Sequence, residues 1–401
     1  MLRPLLLVSM VSTALSAQAV HVVGPGGFAQ IQAAIAAAAN GDVVVVHGGT
    51  YEPFTLGKDL TITAAPGATV TVTAAFVGNT LLQPPSRAEL VGLQFRPTFF
   101  PFLPVQVLAG HVSFHDCVLA GVGNPTITTL TVQNATVALQ RCRVVGGPIP
   151  AAPTATVVGG GAVTVVHGSL AAVDCEFVGG ELGWDFSTHG GHALRLDDAA
   201  AHLVRCTVLG GGNSAMLSTY PAGNGVHVAT NSDVWIADSL VRGGDGHATA
   251  GDAAIRNLGN TPVVLARTTL QAGPGAPPGA VTIGPIASGP LLGHGSTIAP
   301  LVLGQPWTLD YRAAAGTNVL VVGSDRLALH PITPLLAERA WLAPVNLTVL
   351  AFGITDAAGS LQVSLPLPAT PALLHTSWFT QGVAGLALPL EVSPPVGGIA
   401  R

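Results

Sequence analysis

Apolar and polar positions alternate along short stretches of this chain, and one alternating stretch keeps returning. Between Val137 and Gly147 it sets Val137, Leu139, Cys142 and Val144 against Gln140, Arg141 and Arg143 and stops at Gly146-Gly147. Counted from the cysteine, Cys117, Cys142, Cys175 and Cys206 each carry an apolar residue five and three places before and two places after, and Ser239 and Thr268 fill the same slot. The residue three before runs Phe114, Leu139, Ala172, Leu203, Ile236, Leu265, and the residue two after runs Leu119, Val144, Phe177, Val208, Val241, Leu270. A weaker, earlier copy puts Leu90, Leu93 and Phe95 in these places. The copies lie 24 to 33 residues apart, a period at which self-similarity signals a solenoid. A period of two within each copy predicts strand rather than helix. One such strand cannot bury its apolar face alone, whereas a stack of them can.

The residue just before each cysteine slot alternates in sign: Asp116, Arg141, Asp174, Arg205, Asp238, Arg267. Parallel strands about 4.8 Å apart would set each carboxylate between two guanidiniums, as cross-strand pairing favours. Exposed pairs of this kind contribute only ~0–1 kcal/mol each, so the expected role is to fix register. The cysteines share one inward register, so their Cβ vectors would run parallel rather than converge as a bridge requires. A column of buried thiols packing as small hydrophobes is therefore expected.

Towards the N-terminus, Phe28 to Ala39 has helical composition with Phe28, Ile31 and Ile35 on one face, ended by Asn40-Gly41. A strand at Val43 to Val46 and another at Leu60 to Ala64 follow, separated by turn residues at Gly48-Gly49. This order of helix, buried strand and "HGGTYEPFTLGKDLTI" resembles the start of right-handed parallel β-helix proteins of the pectin-lyase-like superfamily. The resemblance covers roughly residues 20 to 290 and implies that the helix caps the open end of the solenoid. It implies a fold and not one activity, since lyases, hydrolases, adhesins and binding proteins all use this scaffold.

From Gln271 to Gly295 glycine and proline dominate, which reads as a last irregular rung and a linker. Beyond it, Trp307 to Tyr311, Asn318 to Val322, Leu347 to Phe352, Leu361 to Leu365, His375 to Gln381 and Leu386 to Val392 read as short strands at the spacing of a β-sandwich. With "AGSLQVSLPLP" followed by "WFTQGV", this part resembles small C-terminal β domains of planctomycete-type secreted proteins, which implies attachment or sorting. The expected organisation is a signal peptide over 1–19, an all-β right-handed parallel β-helix over 20–290, a Gly/Pro-rich last rung and linker over 271–296, and a small β-sandwich over 297–401.

Composition narrows the setting. Leu5 to Leu15 form an apolar run behind Arg3, and Ala17-Gln18-Ala19 offers a cleavage site, so a secreted or cell-surface protein cut near Ala19 is expected. The run is too short to span a membrane. One lysine (Lys58), 9% charged residues and a net charge of −5 do not describe a nucleic-acid binder. A monomer is expected.

Each long repeat has another alternating strand before the cysteine strand. Its outward positions are Thr164, Arg195, His227 and Arg256, which would form one column on adjacent rungs. The loops just before these strands carry Glu181, Trp184, Asp185, His189 and His192, then Asn213, Tyr220 and Asn224, then Asp245, His247 and Asp252. Loops on a rigid scaffold are where function collects. A floor of Arg195, His227 and Arg256 with Trp184 and Tyr220 as walls would suit an extracellular, acidic polysaccharide or another cell-surface component, arginine pairing bidentately with uronate or sulfate. Three readings stand. The first is such a binding protein. The second is a polysaccharide lyase or glycosidase with His227 or His192 as base and Arg195 or Arg256 as the cation that stabilises an enolate. The third is a structural or adhesion protein whose loops are merely solvated.

The enzyme motifs of the family are weak here. The acidic residues Asp185, Asp245 and Asp252 are scattered rather than clustered for calcium, and Asp197-Asp198 and Gly293-His294-Gly295 stand about a hundred residues apart with no Asn-Thr-Asp or Arg-x-Lys. "GGDGHATAGD" at 243–252 has Ala248 where a calcium-binding nonapeptide has aspartate, and His189 and His192 lack a third metal ligand. No cofactor is expected, calcium being the one weak candidate. Phe99, Phe100 and Phe102 sit on a proline-broken loop that either folds back on the scaffold or offers an aromatic platform.

Overall fold

The computed structural model describes residues 18–73, 80–84, 87–96, 105–121, 128–147, 160–181, 190–212, 222–246, 251–275, 277–288, 293–296, 301–324, 327–330, 340–342, 347–370, 377–385, 390–393 and 396–399. Residues 1–17 of the leader expected over 1–19, and the Phe99, Phe100 and Phe102 loop, lie outside these residues.

The chain winds through three parallel sheets of eleven, nine and nine strands. One rung uses all three in turn. Thr136–Gln140 belongs to the first sheet, Arg143–Val145 to the second and Val163–Val166 to the third, after which Ser169–Val173 opens the next rung on the first. The architecture is a parallel β-helix, as the repeat predicts. Register follows the repeat residue by residue: Phe114 pairs Leu139, Leu139 pairs Ala172, and Leu203 pairs Ile236. The inward side chains of all three sheets make one continuous core in which Phe114, Phe177, Leu203 and Val226 are fully buried. Truncating one of them, as in Leu203→Ala, is expected to cost about 3 kcal/mol through lost burial and the cavity left behind.

The corner between the first and second sheets explains both the cysteines and the charges. Asp116, Arg141, Asp174, Arg205, Asp238 and Arg267 all have φ between 44° and 54°, the left-handed conformation that turns the chain sharply and that aspartate tolerates better than most residues. Each arginine takes the aspartate of the preceding rung bidentately: Arg141 holds Asp116 at 2.7 and 2.9 Å, Arg205 holds Asp174 at 2.7 and 2.9 Å, and Arg267 holds Asp238 at 2.6 and 2.7 Å. The expected even ladder is thus drawn into pairs, because a planar guanidinium matches both oxygens of one carboxylate. Across the alternate gap, Arg141 feels Asp174 only as a longer-range charge.

The next residue points inward. Cys117, Cys142, Cys175 and Cys206 are free and buried, and each S–H donates to the carbonyl two residues back, at 3.2 to 3.4 Å. Ser239 gives the same bond to Ala237 at 2.6 Å, and Thr268 gives it to Ala266 at 3.1 Å. The slot therefore selects a small side chain able to donate to a corner carbonyl, which cysteine, serine and threonine share.

At the N-terminal end the helix Ile31–Ala37 buries Ile31, Ala34 and Ile35 against the same core. It is shorter than the 28–39 span expected, because Phe28 is bonded to Val22 and Ala38 is already extended. Its last carbonyls are capped by Lys58, whose Nζ donates to Ile35, Ala36 and Ala38 at 2.8, 3.0 and 2.5 Å. A cation at a helix C-terminus meets both unpaired carbonyls and the negative end of the dipole.

The outer face of the first sheet is covered, which the alternation did not foretell. Ala138, Ala171, Val173, Val204, Trp235 and Ala237 point away from the core and are still buried. Phe379 of the C-terminal part stacks on His115 there, with ring centroids 6.1 Å apart. The C-terminal part consists of small antiparallel sheets. One holds Gly293–Ser296, Pro306–Arg312 and Ser360–Pro366, and another holds Thr348–Ile354, Asn318–Ser324, Ser377–Ala384, Glu391–Val392 and Val396–Ile399. Trp307, Leu309 and Tyr311 of the former share a core with Val319, Val321 and Ala384 of the latter.

Candidate functional site

The strands Val163–Val166, Leu194–Asp197, Val226–Val228 and Ile255–Asn257 are successive members of the third sheet. Their register aligns Thr164 with Arg195, Arg195 with His227, and His227 with Arg256. Flanking residues Val163, Leu194, Val226 and Ile255 are fully buried, so strand alternation turns this column outward. Arg195 is exposed, while Thr164, His227 and Arg256 are half-buried.

Two residues before each of these strands runs a second column, containing His192 and Asn224. It meets the first column on the diagonal. The ring of His192 stacks on that of His227, centroids 4.5 Å apart and planes 11° from parallel. Nδ1 of His192 accepts the backbone N–H of Asn224 at 3.0 Å, which leaves its proton on Nε2. Asn224, fully buried, bonds His227 Nδ1 through Oδ1 at 3.2 Å. A carboxamide oxygen only accepts, so His227 carries its proton on Nδ1 and presents the Nε2 lone pair. Burial chiefly, then the charges of Arg195 and Arg256, push the His227 pKa from 6.5 down to about 4. At neutral pH it is an uncharged acceptor between two fixed cations.

Corner and second-sheet arginines are mostly paired, although Arg242, like Arg256, has a buried Nε without a hydrogen-bond partner. Arg141, Arg143, Arg205 and Arg267 are each held by a carboxylate. Arg195 and Arg256 are in no ion pair among the described residues, and Nε of Arg256 is buried without a hydrogen-bond partner.

The loops that precede the column leave and return through a stack of glycine backbone. Gly180 donates to Gly160, Gly191 to Gly180, Gly211 to Gly191, Gly223 to Gly211 and Gly244 to Gly223, at 2.7 to 3.1 Å. Outgoing legs (Gly180, Gly211, Gly244) alternate with returning legs (Gly160, Gly191, Gly223), so one hydrogen-bonded file zigzags between two rows. At its glycines and beside them there is little room for a side chain: a Cβ on Gly179 would collide with the Gly191 carbonyl and lie 2.6 Å from the Gly211 nitrogen. Asp252 continues the file, donating to Gly244 and accepting from Gly273. Its carboxylate is buried and accepts the N–H of Ala253 at 2.8 Å.

Of the loop residues singled out from sequence, the structure brings His192 and Asn224 to the column and leaves Asp245 exposed on an outgoing leg. Asp252 is taken up by the backbone file, a role the repeated glycines at this position could have signalled. Trp184, Asp185, His189, Tyr220 and His247 lie outside the described residues, as does Asn213. Asp198 occupies a left-handed corner with φ 46° and bonds His167 at 3.1 Å, while Asp197 accepts from Thr230 at 2.7 Å. Gly293–Ser296 sits in an antiparallel sheet of the C-terminal part. Among the described residues no three His, Cys, Asp or Glu converge as a metal would require, and no helix is long and apolar enough to cross a membrane.

No protein-family model matches the chain, and no curated protein matches it either. Solved structures that resemble it include the pectate lyase Pel9A, at 12% identity and a TM-score of 0.36, over 65% of this chain and 78% of that one. Another is the full-length tailspike protein 2 from Escherichia coli O157:H7 bacteriophage CAB120, at 9% identity and 0.30, over 92% and 66%. A third is tailspike gp49 from Acinetobacter baumannii bacteriophage Fri1, described as a capsular polysaccharide depolymerase, at 8% and 0.22, over 88% and 71%.

Proposed function

We propose that this chain binds an acidic polysaccharide along the outer column of its third sheet. The reading rests on the two guanidiniums of Arg195 and Arg256, which flank His227 in register and are in no ion pair among the described residues. In a chain with few charges, whose corner arginines Arg141, Arg205 and Arg267 are each matched to a carboxylate, such a pair suits an anion supplied from outside. Sulfate or carboxylate groups would take the guanidiniums bidentately, and sugar hydroxyls would donate to His227 Nε2. The leader-like N-terminus suits a secreted or cell-surface protein, and a pectin-lyase-like ancestry is in keeping with the solenoid.

Calorimetric titration of the purified protein with chondroitin sulfate, alginate and neutral dextran, alongside a reducing-end assay, tests the reading. The acidic polymers should bind, more weakly as salt is raised, and the Arg195→Ala, His227→Ala, Arg256→Ala triple variant should not bind. If no acidic polymer binds or is cut, the column is not a carbohydrate site, and a structural or adhesive role stands in its place.

One observation favours a second reading, β-elimination. The Nε2 lone pair of His227 lies between two cations, as a base for the proton α to a uronate carboxylate would. That proton would pass to Nε2, its electron pair would form the new carbon–carbon double bond, and the glycosidic C–O bond at the β carbon would break, the leaving oxygen taking a proton from water. Ultraviolet absorbance from an unsaturated uronide that vanishes in His227→Ala would establish it.

A further inference from the structure

The spacing of the column carries information about the ligand beyond its charge, on the premise that the column is the binding site proposed above. Arg195 and Arg256 are two strands apart, with His227 on the strand between them. Neighbouring strands lie about 4.8 Å apart, so the two guanidinium-bearing positions recur about 9.6 Å apart along the solenoid axis. That is close to the length of two linked pyranose rings. The position between them is uncharged and accepting. Asn224 occupies Nδ1 of His227 at 3.2 Å, and His192 covers one face of its ring.

We infer that the ligand lies along the solenoid axis and carries its anionic groups on every second sugar, with a neutral, hydroxyl-bearing sugar between them. The two flanking anions meet Arg195 and Arg256, and the central sugar donates an O–H to His227 Nε2. A uronate homopolymer places a carboxylate on the central ring as well. Turned inward, that carboxylate meets a lone pair and must first recruit a proton; turned outward, it adds nothing. Alternating acidic and neutral residues fit all three positions at neutral pH. The glycine file runs beside the column, through legs such as Gly191 and Gly223 that immediately precede His192 and Asn224. It follows the same axis.

The test compares three hexasaccharides by calorimetry at pH 7: one of alternating uronate and N-acetylhexosamine, one of uronate only, and one neutral. The alternating oligomer is expected to bind at least about tenfold more tightly than the homopolymer, a difference of about 1.4 kcal/mol. Arg195→Ala and Arg256→Ala should each abolish that preference, and His227→Phe should reduce it while leaving the salt dependence unchanged. Equal or tighter binding of the homopolymer overturns the alternation and leaves the acidic-polysaccharide reading intact. A preference that survives Arg256→Ala places the alternating ligand elsewhere and overturns the inference. If neither acidic oligomer binds, the parent reading falls with it.

Discussion

His192 lies flat on His227, ring centroids 4.5 Å apart, although the two residues come from successive rungs of the solenoid and stand 35 positions apart in the chain. The contact exists because the position two before one strand abuts the outward position of the strand on the next rung. Thr128 and Thr164 make the same diagonal contact lower in the stack, through hydroxyls 2.9 Å apart. Burial first, and then Arg195 and Arg256 on either side of it, keep His227 uncharged in this stack.

Anion binding should therefore be coupled to protonation. The His227 pKa is held near 4 by burial and by two cations. An anion that neutralises those cations raises it, and linkage requires that affinity for the anion rise as pH falls towards about 4. Titrations of sulfated oligosaccharide at pH 7 and pH 5 should show tighter binding and proton uptake at the lower pH, and His227→Gln should remove both changes. Equal affinities at the two pH values in the parent protein would contradict the coupling.

Acid should weaken the fold through His115 in the same interval. Burial first, aided by the charge of Arg141, lowers its pKa to about 4 against the counteracting influence of Cys142, Gln140 and Asp116. The unfolded chain takes a proton near 6.5 and the folded chain does not, so stability is level above that pH, falls between about 6.5 and 4, and loses nothing more through this group below 4. The loss is on the order of 3 kcal/mol. Urea midpoints measured from pH 7.5 to 4 should decline along this course, and less steeply in His115→Gln.

Gly179→Ala should be among the most damaging single-methyl changes outside the core. The new methyl meets backbone on the two legs that follow, at Gly191 and Gly211, and backbone cannot swing aside as a side chain can. A loss of about 3 kcal/mol is expected, whereas Gly57→Ala, with nothing within 4 Å of the added carbon, should be nearly silent. Thermal melts of the two variants side by side make the comparison.

The cysteine column should tolerate serine. Cys175→Ser keeps the corner donor that Ser239 already provides at its own rung, and is expected to change stability by less than about 1.5 kcal/mol, whereas Cys175→Leu should overpack the corner and cost about 1–3 kcal/mol. Alkylation in denaturant without reductant should label all four cysteines, and incomplete labelling would mean that bridges form.

The solenoid was legible because its period is written in two independent alphabets, apolar alternation and alternating charge at the corner. The column of Thr164, Arg195, His227 and Arg256 was legible for the same reason, since a strand's outward positions follow from its inward ones. Features that depend on what lies across a face were not. Gln140 reads as solvated yet is buried, because the outer face of the first sheet is covered. Asn224 was grouped with loop residues as a possible ligand contact, and its partnership with His192 and His227 depends on a diagonal between rungs that no single repeat encodes. The glycine pairs closing each second-sheet strand read as simple stops. Their second purpose shows only when outgoing and returning legs are seen to interlock.

That interlocking frees the segments between the legs. Because both ends of each excursion, at Gly180 and Gly191 or at Gly211 and Gly223, are pinned by backbone bonds to their neighbours, lengthening the excursion costs little beyond loop-closure entropy, roughly 0.6 kcal/mol per doubling. The scaffold thereby works as a rack of sockets, in which insertions, deletions and wholesale exchange of a segment can be sampled without disturbing the rungs. The register of Arg195, His227 and Arg256 is independent of the length between the legs.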